Sequence, residues 1–288
     1  MKLLSVKRIG LVAGVLALVS GCAGVIDRAT EQFANDLETA IREYDDPELV
    51  SDGLPAYLLL LEARINANPD DPALRLSTAR LTGTYAALFA DEPSRYQRLN
   101  TRAFEHARRG ACESSKRLCN LGQLDFDDFD KRIESLQEDD LDALYVLATT
   151  WTGWIDANSS DFVALGDLPR VERLLAWVAE QSPQHDDGAV WIYLAVLNSQ
   201  RPPAAGGQPE KARDYFDRAR EISNRQNLLI DVLMADSYAR LIFDRETFAK
   251  LLNDVLQSDA DAPDYRLSNA VARRRAEILY DQIEEIFD

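Results

Sequence analysis

Three short apolar patterns with the same spacing recur in the C-terminal half of the chain. In each of them apolar residues stand at positions i, i+4 and i+7, which places all three side chains on one face of an α-helix. The three sets are Val171, Leu175 and Val178, then Ala212, Phe216 and Ala219, then Phe248, Leu252 and Val255. Their first residues lie 41 positions (171 to 212) and 36 positions (212 to 248) apart. Recurrence at such a period is typical of helical repeats that stack on one another, and it predicts an all-α protein.

The middle set carries the clearest local signals. A Gly-Gly pair at 206–207 frees the backbone, and Pro209 stands where a helix would begin, since proline lacks an amide hydrogen that the first helical turn would leave unpaired. The small–aromatic–small order of this set is typical of the second helix of a TPR unit, where small residues let a neighbouring helix approach. We therefore predict a TPR-like α-solenoid of about twelve helices in stacked antiparallel pairs, ending in a capping helix near residues 265–287.

The stretch 141–155 differs from the other predicted helices, because it carries one charge in fifteen residues. A helix that is apolar on every side is either buried all round or lines an apolar cavity. Trp151 and Trp154 share a face of this helix, and Gly153 between them allows a neighbouring backbone to come close. The sequence therefore predicts a central helix at this position.

The first residues have the composition of a secretion signal rather than of a folded element. Three positive charges precede an apolar stretch at residues 9–18, which is too short for a membrane span of about 20 residues but suits a signal peptide. The sequence Val-Ser-Gly-Cys that ends at Cys22 is similar to a bacterial lipobox, in which the cysteine thiol receives a diacylglycerol. We predict that residues 1–21 are removed, that Cys22 is lipidated, that residues 22–26 form a linker and that residues 27–288 form one helical domain. An ordinary signal peptide with a chance cysteine is the alternative.

A lipidated N-terminus would attach the protein to the cell envelope. More than one acyl chain gives stable anchoring, whereas a single chain binds a membrane only reversibly. Ala23, rather than an aspartate, follows the cysteine, which in enteric-type sorting favours the outer membrane. We expect a lipid-anchored protein of the outer membrane that faces the periplasm.

The charge of the chain argues against nucleic acid as a partner. Removal of residues 1–21 takes away three positive charges and no acid, so the formal charge of −17 becomes −20 (−17 − 3). Phosphate backbones and anionic lipid surfaces both require stripes of lysine and arginine. The acidic stretch 125–142 lacks the Asp-x-Asp-x-Asp-Gly loop and terminal glutamate of a calcium site, so a solvated loop and a helix N-terminus explain it better.

Two further cysteines, Cys112 and Cys119, are predicted to form a disulfide, because an exported protein meets an oxidising compartment. Seven residues of helix span about 10 Å, whereas a disulfide needs Cα atoms within about 7 Å. A helix must therefore end between them, near residues 113–115. Metal binding is a poor alternative, since the chain has only 2 histidines and no four-ligand set can be assembled. We expect neither a metal nor another cofactor.

Three features together are similar to the T-component family of TRAP (tripartite ATP-independent periplasmic) transporters, TatT. They are the lipobox at Cys22, the helix from Leu144-Tyr145 to Trp151-Thr-Gly-Trp154, and the segment from Arg201 through the Gly-Gly turn to Ala219. The continuation from Asn227 to Leu252 fits the same pattern. The resemblance implies a periplasm-facing lipoprotein of stacked helix pairs that works with the solute-binding P-component of the transporter. It also implies a homotrimer with a central pore and an apolar cleft for an organic ligand, features attributed to some members.

Five residues are candidates for lining such a cleft. Pockets are mostly apolar with a few polar groups that orient the ligand, which suggests Tyr145, Trp151, Trp154 and Trp191. For each of these the alternative is an ordinary core position, since large aromatic residues at helical spacing are commonly core. Arg201, before the Gly-Gly turn, is the candidate to bind a carboxylate bidentately, and its alternative is a surface or helix-capping arginine.

Catalysis finds little support in the sequence, so we predict that the protein is not an enzyme. A nucleophile elbow of the Gly-x-Ser-x-Gly type is absent. The leading hypothesis is an accessory lipoprotein that docks a solute-binding protein and passes it an apolar organic acid. The second is a structural adaptor for envelope proteins, which predicts a filled core around Trp151 and Trp154. A hydrolytic envelope enzyme is a third, and it would require two neighbouring carboxylates, one with a raised pKa.

Overall fold

The computed structural model describes residue 37, residues 39–200 and residues 207–288. The predicted signal peptide, Cys22 and Arg201 lie outside the described residues. The helices are, in chain order, α1 (Pro47–Ala67), α2 (Pro72–Phe89), α3 (Pro93–Ser114), α4 (Phe126–Glu134), α5 (Leu141–Ala157), α6 (Phe162–Gly166), α7 (Leu168–Gln181), α8 (Ala189–Asn198), α9 (Pro209–Ile222), α10 (Leu229–Leu233), α11 (Arg245–Leu256), α12 (Arg266–Asp281) and α13 (Ile283–Phe287). The described residues contain no β-strand. The prediction of an all-α, solenoid-like fold is confirmed.

The first three long helices begin in the same way. Each has a proline in its first turn and an acidic residue immediately before it, at Asp46, Asp71 and Glu92. The carboxylate of Asp71 accepts a hydrogen bond from the backbone N–H of Leu74 at 3.1 Å, for example, which satisfies one of the amides that a helix start leaves unpaired. Short turns between such starts make consecutive helices antiparallel neighbours.

Two hydrophobic clusters contain most of the buried apolar residues of α2 to α13. The first joins α2, α3, α5, α7 and α8, with α4 beneath them, and the second joins α8 to α13. All nine residues of the repeated pattern lie in these clusters and are at most 1% exposed; they are Val171, Leu175, Val178, Ala212, Phe216, Ala219, Phe248, Leu252 and Val255. Burial of apolar surface stabilises a fold by about 20 to 33 cal/mol per Å². The nine buried residues therefore hold the stack together.

The two ends of the helical stack meet. A third hydrophobic cluster contains Val50 and Leu54 of α1, Tyr85 of α2 and Leu267 of α12. Next to it the guanidinium of Arg274 donates to Glu48 at 2.9 Å. The C-terminal helix therefore packs on the first two helices as well as capping its own neighbours, and the stack closes on itself.

One helix departs from regular α geometry. Helix α10 continues directly into a π-helical segment, Met234–Ala239. Single π turns within helices are rare and are frequent at functional sites. Near the C-terminus the predicted long helix is interrupted at Gln282, so that α13 follows α12 as a separate short helix.

In the described part of the chain, no helix combines the length and the apolar character that a membrane span requires.

Candidate ligand-binding site

Polar side chains from five helices lie close to one another. They are Arg80 of α2, Tyr96 of α3, Tyr145 and Asp156 of α5, Tyr193 of α8 and Arg275 of α12. Arg80 is exposed, and the other five are buried or half-buried. Most are close enough to influence the titration of another member of the group. We call this group the recess.

Tyr145 lies at the buried end of the recess and is only 3% exposed. Its hydroxyl donates a hydrogen bond to Asp186 Oδ2 at 2.8 Å. Its ring meets the ring of His185 edge-on, with 4.6 Å between the centroids, and lies 6.4 Å from that of Tyr193. Burial, and then the negative charge of Asp186, raise the pKa of Tyr145 well above its usual range, so the phenol stays neutral and remains a donor.

Tyr193 presents a hydroxyl that forms no hydrogen bond within the described part of the chain. Burial, and then the charge of Asp186, raise its pKa to about 12, and nearby Arg80 acts in the opposite direction. The side chain nevertheless keeps some accessible surface. A side chain that is largely buried but still reached by solvent lines a concave surface. A neutral phenol without a partner at such a place can donate a hydrogen bond to a ligand.

Tyr96 and Asp156 form the second polar pair of the recess. The Tyr96 hydroxyl donates to Asp156 Oδ2 at 2.7 Å, and the Gln200 amide donates to Asp156 Oδ1 at 3.5 Å. Burial, and then the charge of Asp156, raise the pKa of Tyr96. Among the described residues, Asp156 therefore has neutral donors and no cation within ion-pair distance.

Arg80 and Arg275 are cations without a direct carboxylate partner in the described part of the chain. The guanidinium of Arg275 donates to the backbone oxygens of Ala87 and, at 3.4 Å, Leu88, where the C-terminal end of α2 favours positive charge. Burial lowers the pKa of Arg275, and the more distant charges of Asp91 and Asp236 oppose this effect. The chain has 49 acidic and 32 basic residues, so a half-buried arginine with no carboxylate contact among the described residues is unusual.

The predicted cleft residues are not all at this place. Trp151 and Trp154 pack on Phe104, with ring centroids 5.3 and 5.5 Å apart, and both belong to the first hydrophobic cluster. Trp191 packs beside Tyr215 and donates from Nε1 to the backbone oxygen of Pro183 at 2.8 Å. Of the described candidates, Tyr145 alone belongs to the recess.

Five residues of the recess were not predicted from the sequence; they are Arg80, Tyr96, Asp156, Tyr193 and Arg275. These residues lie on five helices that are up to 195 positions apart (80 to 275). The available signal was a phenolic or ionisable residue within a largely apolar helix, as Tyr193 is within Ala189–Asn198. Such a residue by itself does not indicate which other helix it faces.

Cys112 and Cys119 are joined by a disulfide, with 4.4 Å between their Cα atoms. Helix α3 ends at Ser114, between the two cysteines. The described residues contain no group of three or more His, Cys, Asp or Glu side chains that could hold a metal ion. Within the acidic stretch, Asp125 caps α4 by accepting from the backbone N–H of Asp128 at 2.8 Å.

A raised carboxylate pKa occurs at Asp167, where burial is the main cause. Its neighbour is the guanidinium of Arg170, at 3.4 Å, rather than a second carboxylate. Among the described residues, this site therefore lacks the paired carboxylates that the hydrolytic hypothesis requires.

Comparison with known proteins identifies the family. The family model described as "TRAP transporter T-component" matches residues 43–287. An uncharacterised protein of Treponema pallidum (strain Nichols) is 23% identical over 270 residues, which cover 88% of this chain and 84% of that protein. The match to the family model spans the recess and every described helix from α1 to α13, and it confirms the resemblance inferred from the sequence. The chain belongs to the TRAP transporter T-component family.

Proposed function

We propose that this T-component holds an organic acid in the recess and delivers it to a solute-binding P-component. Membership of the family supports an accessory role in a TRAP transport system. The single observation that supports ligand binding is the half-buried Tyr193 near the exposed Arg80, because its hydroxyl has no hydrogen-bond partner in the described part of the chain.

The chemistry of the recess favours a ligand with a carboxylate and an apolar body. An arginine binds a carboxylate through two parallel N–H···O bonds, and such charge-assisted bonds are about twice as strong as neutral ones. Arg80 and Arg275 supply guanidinium groups, whereas Asp156 and Asp186 already accept hydrogen bonds from Tyr96 and Tyr145. In this proposal the neutral Tyr193 phenol donates a further bond to the acid group, and the phenol rings contact the apolar body.

Attachment and partner are parts of the same proposal. Lipidation at Cys22 would hold the domain at the outer membrane on its periplasmic side, where a soluble P-component can reach it. The family assignment supports association with the envelope, and the protein would act there by binding and not by catalysis.

A structural adaptor without a ligand is the second candidate, and one observation favours it. Trp151 is 3% exposed and is packed against Phe104, as a filled core requires. In that case the T-component would recruit envelope proteins through its outer surface.

Titration with a solute-binding protein whose gene neighbours that of this chain would test the docking part of the proposal. We expect the lipidated full chain, in mild detergent, to form a saturable complex by analytical ultracentrifugation. An unrelated periplasmic binding protein of similar size serves as the control. Failure of the neighbour to bind any better than this control would contradict docking.

A further inference from the structure

A short segment ahead of α1 contacts two distant regions of the molecule. Residues 39–44, here called the strap, comprise the last turn of a helix at 39–42 and the turn that follows it. Ile41 packs against the cluster of Val50, Leu54, Tyr85 and Leu267, where the ends of the stack meet. The strap is therefore fixed at one side by apolar contacts with α1, α2 and α12.

The next residue of the strap, Arg42, contacts a different region of the molecule. The guanidinium of Arg42 donates to Asp187 Oδ2 at 3.2 Å and to Asp186 Oδ1 at 3.4 Å. These two aspartates belong to residues 185–188, here called the acidic turn, which connects α7 to α8. The Arg42 side chain thus bridges a sequence distance of about 145 residues.

The acidic turn has an unusual backbone. Asp186 and Asp187 have φ values of 50° and 54°, and Gly188 follows with φ of 78°. Residues in this left-handed region are costly unless their surroundings hold them, and aspartate tolerates it better than most residues. The side-chain contacts of Asp186, to Tyr145 inside the molecule and to Arg42 in the strap, are contacts of that kind.

The same aspartate therefore connects the strap to the recess. Asp186 accepts from the Tyr145 hydroxyl with Oδ2 and from Arg42 with Oδ1. Tyr265, at the start of α12, lies close enough to Asp187, Arg42 and Asp186 for their charges to affect its titration. The strap thus lies among α1, α12 and the acidic turn, and two of these adjoin the recess, since Arg275 is on α12 and Asp186 accepts from Tyr145.

We propose that the strap is a releasable cover of the recess, docked on the acidic turn by Arg42. Its partner in this interaction is the chain itself: the segment that precedes α1 binds the acidic turn by charge and the α1–α12 junction by Ile41. Ligand entry, or transfer to a partner protein, then requires the Arg42 contacts to break. The charged pairs have side chains that are 30% to 53% exposed, so they are weak enough to open and close readily.

Two isosteric or near-isosteric changes and one matched control test the proposal. Arg42→Gln removes the cation, and Asp187→Asn removes one of its partners without altering Asp186 or Tyr145. Arg218→Gln removes an exposed ion pair of similar length, 3.1 Å to Glu221, on the outer helix α9. The full chain of each variant is compared by hydrogen exchange of residues 39–44 and by hydroxyl-radical footprinting of the Tyr193 and Tyr145 rings, read by mass spectrometry.

We expect Arg42→Gln and Asp187→Asn to raise both strap exchange and Tyr193 modification by about two- to fivefold, as loss of a partly exposed ion pair implies. The double variant should show little increase beyond Arg42→Gln alone, because that change has already removed the ion pair with Asp187. Arg218→Gln should match the wild type. Unchanged hydrogen exchange in the strap would show that Arg42 does not hold it. Faster exchange with unchanged Tyr193 modification would show that the strap does not cover the recess. Either result overturns the proposal.

The proposal concerns access to the proposed ligand site. It rests on the proposed function in one respect, because a cover regulates transport only if the recess binds a ligand. The experiment contains neither ligand nor P-component, so its failure is separate from a failure of ligand binding. If Arg42→Gln does not fold, Asp187→Asn provides the same two readouts, since asparagine tolerates the left-handed backbone at this position.

Discussion

At the scale of single residues, Gly153 shows what close helix packing demands. A Cβ atom built there would overlap the Asn100 side-chain oxygen, and Asn100 is itself 3% exposed and hydrogen-bonded to the Tyr96 backbone at 3.0 Å. The sequence indicated that Gly153 allows a close approach. It did not indicate Asn100 as the partner, because nothing local links a residue of α3 to one of α5.

Gly153→Ala should lower the free energy of unfolding by about 1–3 kcal/mol, since an extra atom in a packed contact forces a shift of its surroundings. Gly83→Ala is the control, because its nearest side-chain atom, Thr150 Cγ2, lies 3.5 Å from the new Cβ. That change should leave stability unchanged or raise it by about 0.5–1 kcal/mol through helix propensity. Urea unfolding followed by circular dichroism measures both; equal stability of the two variants would contradict the packing argument.

The tyrosines of the recess predict a loss of stability in alkali. Tyr193 has a pKa of about 12 in the folded protein, above the value of about 10 in an unfolded chain. Above pH 10 the unfolded chain loses this proton first, so the free energy of unfolding falls between about pH 10 and pH 12, by up to about 2–3 kcal/mol for this residue.

Tyr193→Phe isolates that contribution. At pH 7 the variant should be about as stable as the wild type, because the Tyr193 hydroxyl has no partner among the described residues to lose. Between pH 10 and 11 it should lose less stability than the wild type in urea unfolding. Parallel pH profiles for the two proteins would mean that Tyr193 titrates normally and is not enclosed.

At the scale of elements, local chemistry made the helices predictable. Proline and acidic N-caps, as at Asp71 and Pro72, set the starts, and the i, i+4, i+7 pattern set the buried faces. The π-helical segment at Met234–Ala239 was not predictable, since its residues are ordinary helix formers and the extra residue per turn depends on tertiary packing. The acidic turn was missed because its left-handed aspartates depend on contacts with distant side chains.

The disulfide between Cys112 and Cys119 fixes the end of α3 to the turn that follows. In the chain-entropy account, a bridge that closes a loop this short stabilises the fold by about 2 kcal/mol. The double variant Cys112→Ser, Cys119→Ser should unfold at correspondingly lower urea concentration. A reducing agent should bring the wild type to the same midpoint and leave the variant unchanged, and a wild type insensitive to reduction would contradict this expectation.

At the scale of the whole molecule, the sequence predicted a stack of helices but not its closure. The contacts that close it, such as Arg274 to Glu48, join residues about 226 positions apart, and no repeat period indicates them. Closure is what turns the inner side of the stack into a recess, because α12 brings Arg275 opposite α2 and α3.

Leu267→Ala tests the closure. Leu267 is 5% exposed in the cluster shared by α1, α2 and α12, and truncation of a buried leucine costs about 2–5 kcal/mol. If the ends are coupled, hydrogen exchange should rise in α1 as well as in α12. An increase confined to α12 would mean that the two ends of the stack do not support each other.

The central claim is that the recess binds an organic acid through its arginines, and native mass spectrometry of the gently purified full chain tests it most directly. We predict a co-purified acid on the wild type and on the Arg218→Gln control, and its loss from the double variant Arg80→Gln, Arg275→Gln. A bare wild-type protein, or an acid retained equally by all three, would contradict the claim and favour the structural adaptor.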